Sequence, residues 1–227
     1  MKKPVVDYRQ FRFSKLNDPQ FSHLKLLGGW IVYFIFYFLT ENLIPPEQCH
    51  PVHCFIDDLV PFNEYFAIFY VFWYVLIVIS LGYFALYSID SFKKLSKFII
   101  ITQVVAMACY IIYPTRQDLR PEVFPRENFF SWVMGIIYSF DTSTGVCPSL
   151  HVAYSIGIAS VWLKDPTAQP WAKVCVTISV VLICLSVMFV KQHSAVDVIA
   201  ALPLSLLAEL IVYRHRYFHR RPLAELN

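Results

Sequence analysis

Two of the seven histidines stand where they could do chemistry. His23, His215 and His219 belong to basic terminal segments, and His50 and His53 to an apolar, acidic loop. His151 follows Cys147-Pro148-Ser149-Leu150, and His193 sits in Lys191-Gln192-His193-Ser194-Ala195-Val196-Asp197, each next to a long apolar run. Asp197 comes four residues after His193, so on a helix the two side chains share a face and the carboxylate can accept from one imidazole nitrogen. A carboxylate placed this way fixes the tautomer and leaves the other nitrogen free to attack an electrophile such as phosphorus. It also stabilises the positive ring that results.

The cations that would hold an anion come from separate places. Arg116 and Arg120 are four residues apart after one apolar run, and Lys191 lies after another. Together they are expected to form a phosphate clamp, because charged donors bind phosphoryl oxygens more strongly than neutral ones. Pro148 is expected in the first turn of a helix, leaving backbone N–H groups to point at the same anion, with the Ser149 hydroxyl as a further donor.

The elements that must position these groups are membrane helices. Of the 227 residues, 57% are hydrophobic and 15% charged, against roughly 25% charged in a soluble domain, which excludes an ordinary soluble fold and a disordered chain alike. A net charge of +3 gives no support to nucleic-acid binding. Charge-poor runs at 26–44, 65–89, 98–115, 142–163, 174–190 and 198–213 predict six transmembrane helices in an all-α bundle. The apolar stretch 128–140 would reach only about 20 Å, so an interfacial or re-entrant helix is expected there. The predicted layout is a cytoplasmic segment over 1–25, a catalytic bundle over 26–213 and a basic cytoplasmic tail over 214–227.

Orientation follows from the 19 Lys and Arg residues. With the N-terminus inside, Arg116, Arg120, Arg126 and Lys191 are the four left outside, and the remaining fifteen fall on the cytoplasmic side. The outer loop 41–64 holds five acids and no Lys or Arg, so the outer cations ask for an anionic ligand. Arg126 reads as a surface partner of Glu127, and Glu209 as a snorkelling partner of Arg214 and Arg216. Cys49 and Cys54, with His50 and His53 between them, read as a disulfide or free thiols in preference to a metal site. The aromatic-rich first two spans read as lipid-facing and packing surface.

The core from about Tyr113 to Pro203 resembles the type 2 phosphatidic acid phosphatase superfamily of integral-membrane phosphatases and lipid phosphotransferases. The family pattern is Lys, six residues, Arg-Pro; then Pro-Ser-x-His; then Ser-Arg, five residues, His, three residues, Asp. Arg120-Pro121, Pro148-Ser149-Leu150-His151, and Ser186 with His193 and Asp197 match it, while Tyr113, Leu150 and Val187 depart from it. Arg116 and Lys191, about one helical turn away, are expected to supply the missing charges. The Pro-Ser-Leu-His segment is most similar to the branch that includes inositol phosphorylceramide synthases. The resemblance implies a metal- and cofactor-independent double displacement on a lipid phosphate, with His193 as nucleophile, Asp197 orienting it and His151 as acid and base. Arg116, Arg120, Lys191 and Ser149 would hold the phosphoryl oxygens. Water as acceptor makes a phosphatase; an alcohol makes a transferase. A bacterial inner membrane with the site on the outer face is the expected setting, and a lipid transporter or scramblase using the same cations is the alternative.

Overall fold

The computed structural model describes residues 3–218; Lys2, His219, Arg220 and Arg221 of the expected cytoplasmic set lie outside them. The chain is all-α apart from one two-residue strand pair. In order it forms α1 (Gly28–Leu43), β1 (His50–Pro51), α2 (Phe55–Leu59), α3 (Ala67–Tyr87), α4 (Ile89–Ile112), β2 (Thr115–Arg116), α5 (Phe129–Phe140), α6 (Leu150–Lys164), α7 (Pro170–Phe189), α8 (Ala195–Val212) and α9 (Arg214–Phe218).

Among the described residues five helical segments are long and apolar enough to cross a membrane: Ser22–Leu43, Glu64–Tyr87, Ile89–Ile112, Pro170–Phe189 and Ala195–Val212. The protein is accordingly a membrane protein. The expected span over 142–163 is not one helix. Ser149 Oγ accepts from the Val152 N–H and caps α6, so the helix begins at Leu150 and its 15 residues reach only about 22 Å. Pro148 therefore precedes the cap and does not occupy the first turn. The stretch before it is irregular, with one isolated antiparallel bridge from Thr144 to Arg116.

α6 is the centre of the bundle, in contact with α3, α4, α7 and α8. Its buried residues run all round the helix, from Val152, Ala153 and Tyr154 to Ile158, Val161 and Trp162, as a helix walled in by others requires. Gly157 lets α4 approach: a Cβ there would lie 2.5 Å from the Phe98 ring. Many polar groups inside find partners within the bundle, since lipid offers no hydrogen bonds. Ser155 donates to the His151 carbonyl, Ser205 to that of Ala201, and the Trp162 indole to Ser80 Oγ at 3.0 Å.

The helices return the loops to two ends. At one end Tyr8 donates to the Ala85 carbonyl, Ser91 to Asp165, and Lys164 pairs with Glu209 at 2.8 Å. Glu209 thus pairs within the bundle, to Lys164, where Arg214 and Arg216 were expected. At the other end β1 pairs with β2 in parallel, α2 meets the start of α8, and Arg120 reaches Gln192. α5 starts at its Asn128 cap, close to the sequence expectation, and packs beside the start of α3. Arg126 closes this region against Glu64, not Glu127: its Nε and Nη2 donate to the two carboxylate oxygens at 2.6 and 2.8 Å. Glu64 is 0% exposed while the Arg126 side chain is 54% exposed, so the pair joins a buried carboxylate to a guanidinium at the surface.

Candidate active site

His193 and His151 meet because the starts of α6 and α8 are tied together. The Ser149 N–H donates to the Asp197 carbonyl at 3.1 Å. Ser149 is fully buried, its hydroxyl oxygen accepts as the cap of α6, and it does not line the cavity described below. The rings of His151 and His193 stand 5.7 Å apart, inclined at 61°.

The His193–Asp197 contact forms, although not across a continuous helical turn. Ser194 caps α8, so His193 lies just before the helix and Asp197 at its third position. Asp197 Oδ2 accepts from the Ser194 N–H at 2.9 Å and lies 3.2 Å from His193 Nδ1. Asp197 is 0% exposed and His193 8%. A buried carboxylate that already accepts a backbone N–H holds its proton-donor partner, so the imidazole carries hydrogen on Nδ1 and keeps a lone pair on Nε2. Cys147 lies beside Asp197; burial, with Asp197 adding, pushes its thiol up to about 12. It is a packing group and no thiolate at neutral pH.

A second carboxylate, on α2, anchors this turn. Asp57 Oδ2 accepts from Ser194 Oγ at 2.6 Å and from the Cys54 N–H at 2.8 Å, and Oδ1 accepts from the Ala195 N–H at 2.8 Å. Burial pushes this carboxyl up, but those hydrogen bonds outweigh burial and leave it below the ordinary carboxylate range. Lys191, at φ 53°, completes the anchor. Its Nζ donates to the carbonyls of Asp57 at 2.8 Å and Val60 at 2.5 Å.

The expected clamp therefore does not assemble as a clamp. Lys191, 8% exposed, is committed to the carbonyls at the end of α2 and does not line the cavity described below. Arg116 lies on β2 with Nη2 3.3 Å from Asp118 Oδ2. Arg120 is the nearest cation. Its Nη2 donates to the carbonyls of Asp141 and Thr142, both at 2.7 Å, and to Gln192 Oε1 at 2.6 Å, with the guanidinium over the Tyr138 ring at 4.5 Å. The physical reason is that each cation met a nearby carbonyl or carboxylate once the loops were packed, which spacing alone does not reveal.

Both histidines open into a cavity of about 390 Å³ between α1 and α3. Trp30, Tyr33 and Tyr37 form one wall and Trp73, Tyr74 and Ile77 the other. His151 is stacked between these aromatics, 4.5 Å from the Tyr70 ring and 4.0 Å from Trp73, and its Nε2 is buried with no protein partner. Comparison with family models, curated proteins and solved structures finds no match for this chain. The site must speak for itself.

Sequence reasoning missed Asp141. Its carboxylate accepts from Tyr37 at 3.2 Å, Tyr70 at 2.8 Å and Gln192 Nε2 at 3.0 Å. The available signal was one acid closing the otherwise uncharged run 128–141 just before the Pro-Ser-Leu-His segment. Tyr70 and Trp73, expected to be lipid-facing or packing, form the floor under His151. Cys49 and Cys54 are free thiols, the first facing the Pro45 carbonyl and the second capping α2. Among the described residues no group of three or more His, Cys, Asp or Glu side chains converges as a metal site.

Proposed function

We propose that the protein is an integral-membrane lipid phosphatase or phosphotransferase that cleaves a lipid phosphate ester through a phosphohistidine on His193. The supporting observation is the relay Asp197–His193–His151 at the closed end of an aromatic cavity between two helices. A nucleophile oriented by a buried carboxylate, with a second imidazole about one substituent away, is what a two-step displacement needs. The proposal carries with it membership of the type 2 phosphatidic acid phosphatase superfamily, a six-span bundle with α6 as a short central span, and cytoplasmic termini. It places the site on the outer face of a bacterial inner membrane.

In the first step His193 Nε2 forms a bond to phosphorus while the ester P–O bond breaks, and the departing oxygen takes a proton from His151. In the second, His151 takes the proton of water or an alcohol whose oxygen attacks phosphorus, and the P–N bond breaks. Asp197 holds the ring that becomes positive between the two steps. Arg120 acts from one residue behind the lining, through Gln192 and through its field.

Rapid mixing with a panel of radiolabelled lipid phosphates, quenching and mass spectrometry test this reading. Phosphate trapped on His193 is expected, with no trapping and at least a thousandfold loss of turnover in His193→Ala. Full activity in that variant, or phosphate on another residue, removes the nucleophile and turns the cavity into a lipid-binding site of a transporter.

A further inference from the structure

The cavity carries a charge opposite to the one a phosphate clamp would give it. Its lining contains one carboxylate, Asp141, and neither lysine nor arginine. The three groups that hold this carboxylate, Tyr37, Tyr70 and Gln192, are neutral, and Arg120 reaches it only through Gln192 and through its field. Arg120 donates to the main-chain carbonyl of Asp141 and not to the carboxylate. A phosphate monoester with two negative charges would enter this space against Asp141 with no side-chain cation in the wall to offset it, at a cost that grows as water is excluded.

The rest of the lining suits a cation. Tyr33 stacks on Tyr37 with centroids 5.8 Å apart, Trp30 stands edge-on to Tyr33, and Trp73 and Tyr74 face them from α3. Aromatic faces attract an ammonium group, more strongly once it is desolvated, and a nearby carboxylate adds to that attraction. The Trp73 indole N–H, in a residue 7% exposed, is buried without a protein partner. Toward lipid the walls become aliphatic, with Ile77, Val78 and Leu81 on α3; Phe34 and Val78 are exposed on the outer surface of the bundle.

We infer that the cavity selects a zwitterionic phosphodiester lipid whose ammonium head group sits between Asp141 and the aromatic walls of α1 and α3. For the reaction, though not for binding, this rests on the His193 reading. His193 Nε2 bonds to phosphorus as the P–O bond to the lipid alcohol breaks, and that oxygen leaves with the His151 proton. The ammonium-bearing phosphoryl group remains on His193 until an acceptor hydroxyl or water returns a proton to His151, forms the new P–O bond and breaks the P–N bond.

Calorimetric titration of the purified full chain in detergent tests the binding, with glycerophosphocholine, glycerophosphoethanolamine and glycerol 3-phosphate as probes. The two ammonium probes are expected to bind at least tenfold more tightly than glycerol 3-phosphate. Asp141→Asn should erase most of that preference and strengthen glycerol 3-phosphate. Trp30→Leu, which touches none of the hydrogen bonds of Asp141, should narrow the preference about threefold or more. If Asp141→Asn fails to fold, the wild-type preference and Trp30→Leu decide the matter. Tighter binding of glycerol 3-phosphate by the wild type, or equal weakening of all probes in both variants, overturns the inference. Trapping with phosphatidylcholine, phosphatidylethanolamine and phosphatidic acid separates the two proposals. Phosphohistidine formed from phosphatidic acid alone overturns the head-group inference and leaves His193 in place; probe preference without any phosphohistidine does the reverse.

Discussion

Removing Asp57 should loosen the turn that carries His193, although Asp57 touches neither histidine. Asp57→Ala takes away the acceptor of Ser194 Oγ, the Ala195 N–H and the Cys54 N–H. Ser194 and Ala195 are buried and cannot turn to water, whereas Cys54 is partly exposed and can. Two stranded donors at about 1 to 3 kcal/mol each, plus a lost negative charge at the start of α8, give about 3 kcal/mol or more. For a chain of this size that is a fall of about 6 to 12 °C in melting temperature. Asp57→Asn, whose amide oxygen still accepts but carries no charge, should lose about half as much. The pH dependence has a definite sign. The folded carboxyl titrates below its unfolded value, so its stabilisation is complete above the unfolded pKa of about 4 and is lost as pH falls through the folded one. Melting followed by intrinsic fluorescence in detergent at pH 7 and at pH 3 measures both effects, with single-turnover labelling of His193 alongside. Unchanged melting at pH 7 in Asp57→Ala, or an equal penalty at both pH values, would refute the argument.

Two further outcomes follow from where the cations lie. Lys191→Ala should lower melting temperature by several degrees through loss of its bonds to the Asp57 and Val60 carbonyls while leaving the KM for lipid unchanged; a rise in KM with unchanged melting would return Lys191 to the phosphate clamp. In a chain whose own cysteines are replaced, a membrane-impermeant thiol reagent added outside should label a cysteine at the exposed Asp118 and spare one at Lys93 or Gln169, which are exposed near the opposite end. Reversed labelling would turn the site toward the cytoplasm.

Much of the positioning frame was legible locally. Ser194 three residues before Asp197 is a capping pattern, and it starts α8 at Ala195 and brings Asp197 back to His193. Asn128 before an apolar stretch starts α5 in the same way. Long apolar runs identify the five helices fit for a membrane, because the lipid requirement for self-satisfied backbone acts residue by residue. The 142–163 span was misjudged because its hydropathy continues through Ser149, where the cap and not the apolar run decides the helix start.

What the sequence determined by itself is composition-driven and local: a membrane class, the starts of α5 and α8, and the pairing of His193 with Asp197 four residues away. What only tertiary structure decided is which charges meet. Arg116, Arg120 and Lys191 are equally plausible phosphate ligands as a string of letters, yet packing gives Lys191 to the end of α2, Arg116 to Asp118 and Arg120 to a set of carbonyls beside Gln192. It also sets Asp141 in the cavity and buries Tyr70 and Trp73 against His151. Apart from Arg116 with Asp118 and Arg120 with its carbonyls, these electrostatic and ring contacts join residues about 70 to 140 positions apart; they depend on how the helices lean on one another, and no pattern of period 3.6 encodes that lean.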